Sequence, residues 1–221
     1  NVDVSGSVVY RYNDYGNDKS TASNTDIANN NYKVGLNLSS KVNEDVKFNS
    51  RVLVSGGDSG WANLNAQSEG DVNPTLTLSN VYFGYTGIQN TTVNVGKQGL
   101  TTPWTVATQI DGNEQTGTGI LALSTVGPVT LAGAYFNQSN LNKSTDAQIA
   151  TADGKAIKLY DSKTNVSQLD GQDDIATVGA IVAAGPVTLD AWYLDLSDTF
   201  DTFTVGAKSS FDVSGAKLGI D

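Results

Sequence analysis

The side chains of this 221-residue chain that could do chemistry are its charges. Histidine and cysteine are both absent, which leaves few ways to build a metal-dependent, thiol or imidazole catalytic centre. Four basic residues, Arg11, Lys33, Lys47 and Arg51, fall in three neighbouring segments whose apolar and polar positions alternate, and the alternation turns all four to one face. Two carboxylates, Asp111 and Glu114, stand in the break from Gly99 to Gly117, which carries no basic residue. If that loop folds in against the basic wall, the arrangement performs selection rather than reaction. It would set up a transverse field that orients dipolar solutes and passes small cations along the acidic side.

The elements that must position these charges are strands. In the first segment Val2, Val4, Val8, Tyr10 and Tyr12 share one face and Asp3, Ser5, Ser7 and Arg11 the other. Tyr32, Val34, Leu36 and Leu38 lie opposite Lys33, Asn37 and Ser39, and Phe48, Val52 and Val54 lie opposite Lys47, Asn49 and Arg51. The same alternation predicts strands near Leu76 to Thr86, Thr91 to Gln98, Thr118 to Thr125, Pro128 to Asn137, Asp174 to Ala183, Val187 to Asp195, Phe203 to Phe211 and Ser214 to Ile220. That makes about eleven. The breaks between them are alternately long and short, the longest running from Gln138 to Asp173. Gly127-Pro128-Val129-Thr130-Leu131 and Gly185-Pro186-Val187-Thr188-Leu189 repeat almost residue for residue, as duplicated hairpin turns would.

Strands of about nine to eleven residues, with tight turns at one end and long polar loops at the other, predict an all-β, antiparallel, porin-like transmembrane barrel. A secreted β-sandwich would show shorter strands and no such asymmetry of loops. No apolar run is long enough for a transmembrane helix, and the lack of Met fits a chain that starts after a removed signal. Residues 1–221 read as a single barrel domain. An odd strand count and an end in mid-strand at Asp221 make the barrel look incomplete and the chain look like the N-terminal half of a longer protein. With 23 acidic against 13 basic residues the formal charge is -10, which argues against nucleic acid as a partner and for a cation-preferring lumen.

Val2-Asp3-Val4-Ser5-Gly6 leading to Tyr10-Arg11-Tyr12, then Val95-Gly96-Lys97-Gln98, Trp104, Ile110-Asp111-Gly112 and Thr116-Gly117-Thr118-Gly119, resemble the major outer membrane protein porins of Campylobacter. The similarity is densest from Val81 to Phe136 and is lost after about Asn140. It implies a trimeric general diffusion porin of the bacterial outer membrane, largely cation-selective and without catalytic residues. Its partners would be outer-membrane lipid, lipopolysaccharide, small hydrophilic solutes and cations. In trimeric porins the third long loop, here Gly99 to Gly117, folds inward to constrict the lumen. No cofactor is required for passage, but the resemblance implies calcium near the constriction, with Asp111 in the matching motif. Asp146 stands at about the position of a second ligand, although its surroundings do not match the family.

Several side chains have plainer readings beside these. The basic residues suit solvated lumen positions, and Asp111 and Asp146 suit ordinary loop carboxylates. Trp104 is expected to pack the loop base, and Tyr10, Tyr12, Tyr82 or Phe83, Tyr135 and Tyr193 to face outward as interface anchors. The N-x-S/T triplets at Asn37, Asn90, Asn137, Asn142 and Asn165 follow from composition, and Asp170 to Asp174 lacks the spacing of a calcium loop. The main alternative is an adhesin that binds partners through its long Asn- and Ser-rich loops. A barrel enzyme would need a nucleophile with a base other than His.

Overall fold

A computed structural model describes residues 1–16, 27–56, 60–66, 74–110, 112–143, 148–150, 156–158, 160–161, 166–167, 171–213 and 216–220. Its long strands are β1 (Val2–Tyr15), β2 (Ile27–Lys41), β3 (Val46–Ser55), β5 (Thr75–Ile88), β6 (Thr91–Gly99), β7 (Thr116–Val126) and β8 (Val129–Ser139). They continue with β13 (Ile175–Ala184), β14 (Val187–Leu196), β15 (Phe200–Val213) and β16 (Ala216–Ile220). All eleven are antiparallel neighbours in chain order, so the sheet is an uninterrupted meander that is not closed on itself. A twelfth, two-residue strand, β4 (Ala62–Asn63), folds back onto β2.

A strand stands at each predicted place, most of them longer than predicted; the last is described only from Ala216, since 214 and 215 lie outside the described residues. The long break after β8 holds what the alternation misses. There lie a 3-10 turn at Leu141–Lys143 and two minimal hairpins, β9 (Gln148–Ala150) with β10 (Ala156–Lys158) and β11 (Tyr160–Asp161) with β12 (Val166–Ser167). Segments of two or three residues are too short to show a period.

The paired Gly-Pro turns do the work their repetition suggests. Gly127 and Gly185 have φ of 58° and 61°, backbone that glycine adopts at no steric cost, and the proline after each suits the second turn position of a type II′ hairpin. They hold Val126 opposite Val129 and Ala184 opposite Val187.

The sheet is inverted relative to a soluble protein. Along one face Val2, Val4, Val8, Leu76, Phe203 and Val205 are more than half exposed. The buried apolar residues Leu53, Phe136, Ile175, Leu194 and Leu196 lie on the other face, where Leu100 from the β6–β7 connection packs against the last four. An exposed apolar face spread over many strands requires a non-aqueous neighbour. Tyr10, Tyr12, Tyr135 and Tyr193 lie on that outer face.

For the Tyr82 or Phe83 pair the register decides. Arg51 pairs with Asn80 and Val52 with Leu78, so Ser79 is an extra residue that bulges β5 and shifts its parity. Phe83 therefore faces outward beside Phe48, with ring centroids 5.5 Å apart, and Tyr82 faces inward.

The β8–β13 pairing joins strands on either side of the longest break and sets Leu131 opposite Ala180. Because the chain has no cysteine, the double variant Leu131→Cys/Ala180→Cys should oxidise to a single internal disulfide seen by gel shift. Leu131→Cys/Ile181→Cys should not, since a one-residue step turns the side chain to the other face.

Candidate functional site: a loop latched to the inner wall

The connection from Leu100 to Gln115 lies on the inner face, and its own backbone closes it. Leu100 N–H donates to the Gln115 carbonyl at 2.9 Å, and Gln115 N–H to the Val106 carbonyl at 2.9 Å. The Gln115 side chain is spent inside the loop, accepting from Val106 N–H at 2.8 Å. At its end Asn140 reads both neighbours, donating to the Glu114 carbonyl at 2.8 Å and accepting from Thr116 N–H at 2.8 Å.

Glu114 fastens this loop to the wall. Its carboxylate accepts from Arg51 Nε at 2.8 and 2.9 Å and from Arg51 Nη2 at 2.6 Å, with both side chains at most 4% exposed. The bulged residue Ser79 donates to the same carboxylate at 3.0 Å. Arg51 Nη1 donates to Asn37 Oδ1 at 2.8 Å, so the guanidinium fork is bound on both edges. A carboxylate and an arginine removed from water need such complete pairing, and charge-assisted, multiply bonded contacts are the strong ones. Lys33, itself 1% exposed, adds a second fastening by donating from Nζ to the Gly112 carbonyl at 2.5 Å. Gly35 makes room for the pair, because a Cβ there would run into the Arg51 guanidinium.

The four basic residues share the inner face, as parity predicts. In register they descend the wall. Arg11 and Lys33, opposite Asn31 and Val9, stand toward the long-loop end, Arg51 opposite Asn37 in the middle, and Lys47 opposite Lys41 at the short-turn end. Arg51 and Lys33 are buried beneath the loop, while Arg11 and Lys47 are exposed. Glu114 and Arg51, expected to face each other across the lumen, are in direct contact. Asp111 and Asp146 lie outside the described residues. Among the described residues no group of three or more carboxylates stands close enough to hold a metal, and Glu114 is occupied by Arg51, so the described residues do not by themselves fit a calcium site.

Trp104 is a correction. It lies at the surface, 36% exposed, and Leu100, at 1%, packs the loop base instead. Proline before a tryptophan does not say which residue of an irregular loop turns inward. Ser79, Gly35 and Asn140 were not singled out from the sequence, and Asn37 was placed on the polar face without a partner, since each role depends on a bulge, a register or a loop end.

An apolar outer face, a meander with alternating long and short connections, and an inward-latched third long loop describe the wall of a membrane-spanning β-sheet. Residues 1–218 match the model of the Campylobacter major outer membrane protein family. The chain belongs to that family. It is accordingly an outer-membrane protein. No curated protein gives a match. Among solved structures the chain resembles OccK1 (OpdK) from Pseudomonas aeruginosa, at TM-score 0.66 and 14% identity, with 99% of this chain and 54% of that one covered. A BenF-like porin from Pseudomonas fluorescens matches at TM-score 0.62 and 13% identity, covering 99% and 55%. OccAB1 from Acinetobacter baumannii matches at TM-score 0.57 and 14% identity, covering 98% and 50%. The chain spans about half the length of these structures, and the likeness is one of fold.

The latch makes a direct prediction about stability. Glu114→Leu alone strands a buried guanidinium and should lower the unfolding free energy by about 3–5 kcal/mol, whereas Arg51→Met/Glu114→Leu should recover most of that loss. Urea unfolding in lipid vesicles, followed by tryptophan fluorescence, measures both. A double variant as unstable as the single one would contradict the pairing.

Proposed function

We propose that the protein is an outer-membrane general diffusion porin, a passive water-filled pore for small hydrophilic solutes and ions, narrowed by the 100–115 loop. The observation that carries this reading is the Arg51–Glu114 latch, which pins an irregular loop to the inner wall of a sheet whose outer face is apolar. Irregular backbone at membrane depth is tolerated where it lies against protein or lines a water-filled cavity. The reading has no catalytic step, and the loop acts by size and charge. Cation preference is part of it, supported by the excess of 23 acidic over 13 basic residues and by the burial of Lys33 and Arg51, two of the four basic wall residues.

Assembly as a homotrimer, contact with lipopolysaccharide, and a calcium held by Asp111 and Asp146 belong to the same proposal. Calcium would add charge neutralisation and rigidity to the loop. The adhesin alternative has no observation to favour it.

In planar bilayers the full-length protein should open in steps, with a reversal potential across a KCl gradient that favours potassium. Asp111→Asn should reduce that preference. A folded, inserted protein that does not conduct would overturn the porin reading, and anion preference would overturn the charge assignment. Chelation should lower the melting temperature of the wild type but leave that of Asp111→Asn/Asp146→Asn unchanged if these two carboxylates hold calcium.

A further inference from the structure

Arg11 stands apart from the other basic residues of the wall. Its guanidinium carbon lies 3.9 Å from the centre of the Trp61 ring, so the cation rests over the indole face. Trp61 is held in place by its surroundings. The next two residues form β4, pairing Ala62 with Tyr32 and Asn63 with Asn31. Leu64 N–H donates to the Asn30 carbonyl at 2.8 Å, Asn30 N–H donates to Asn65 Oδ1 at 2.7 Å, and Gly56 N–H closes the preceding turn onto the Gly60 carbonyl at 2.9 Å. A cation held over an aromatic face keeps N–H groups free to donate from a restrained position.

Among the described residues, the same-face neighbours of Arg11 toward the long-loop end are amides: Asn31 opposite, Asn13 and Asn29 one step further along, and Asn63 across β2, while in the other direction stand Val9 and the buried Lys33. Among the described residues no carboxylate pairs with Arg11, in contrast to Arg51, whose fork is filled by Glu114 and Asn37. Arg11 is exposed and Trp61 half-buried at the long-loop end of the wall. The arrangement is therefore a preorganised cationic fork beside an aromatic edge and a set of amides.

We propose that Arg11 and Trp61 form a solute subsite at the long-loop mouth of the lumen, which takes the carboxylate of a small organic acid. The two carboxylate oxygens accept from the Arg11 fork, the apolar body of the solute rests along the indole edge, and the asparagines serve hydroxyl or amide groups it carries. The subsite rests on the porin reading and names one class of solute for it. It is compatible with a cation-preferring lumen, because the averaged field of the acidic excess acts over roughly 10 Å of screening length at 0.1 M salt, whereas the fork acts at hydrogen-bond distance.

The test compares butyrate with its neutral isostere butyramide as blockers of the single-channel potassium current of the full-length protein. Each variant is first confirmed as a folded barrel by its resistance to SDS at room temperature, and block is expressed relative to its own open-channel current. Butyrate should reduce the wild-type current saturably, and butyramide should not. Arg11→Gln should raise the half-blocking concentration about tenfold or more, the loss expected for a hydrogen bond to a charged group. Arg11→Lys should fall between the two, and Trp61→Leu should weaken block several-fold. Equal effects of butyrate and butyramide on a conducting wild type would overturn the subsite and leave the porin reading intact. Full block in Arg11→Lys, or unaltered block in Trp61→Leu, would likewise overturn it by reducing the site to charge alone. A wild type that does not conduct would fail at the earlier step, as a porin.

Discussion

The arrangement of the inner face depends on one buried ion pair. A loop of polar, irregular sequence has little reason to lie against a wall unless something repays the ordering of its backbone. Glu114 does so by placing its carboxylate where the Arg51 fork and the Ser79 hydroxyl converge. The cost of taking those charges out of water is offset because each nitrogen of the guanidinium finds an acceptor. The position is also fixed from the other side, since Asn37 holds the free edge of Arg51 and Asn140 holds the backbone of Glu114. Strand register, a bulge and a loop end thus meet at one carboxylate.

That pair makes sense only within an inverted sheet. The apolar side chains of the outer face remain exposed, while the inner face buries both its polar latch and a small apolar cluster around Leu100 and Phe136. The loop is in effect the core of this sheet. Removing it would expose Ile175, Leu194 and Leu196 as well as two charges, so the loop stabilises the wall it leans on. Lys33 and the Gly112 carbonyl extend the same seam toward the long-loop end.

Much of the fold was legible because a sheet with one apolar face writes its period into the sequence. Alternation gave the eleven strands, and the repeated Gly-Pro pairs gave two of the short turns. It also turned Arg11, Lys33, Lys47 and Arg51 to a common face. What failed did so where period two breaks. Alternation left Tyr82 or Phe83 open as the outward aromatic, because the extra residue Ser79 shifts the parity of β5, and Phe83 takes the outer face. Within the 100–115 loop no period exists, so Trp104 and Leu100 could not be ranked, and the carboxylate of Glu114 could be assigned a charge but not a partner. The cation–π pair of Arg11 was equally hidden, because it needs β4 to fold back on β2, a contact made by two residues.

The measurement that bears most directly on this account is the open-channel current of the full-length protein carrying Glu114→Gln. Loss of the charge should loosen the loop at its anchor, giving a larger mean conductance with flicker between levels on the millisecond scale typical of loop gating. A conductance and noise spectrum identical to the wild type would mean that the latch does not set the constriction.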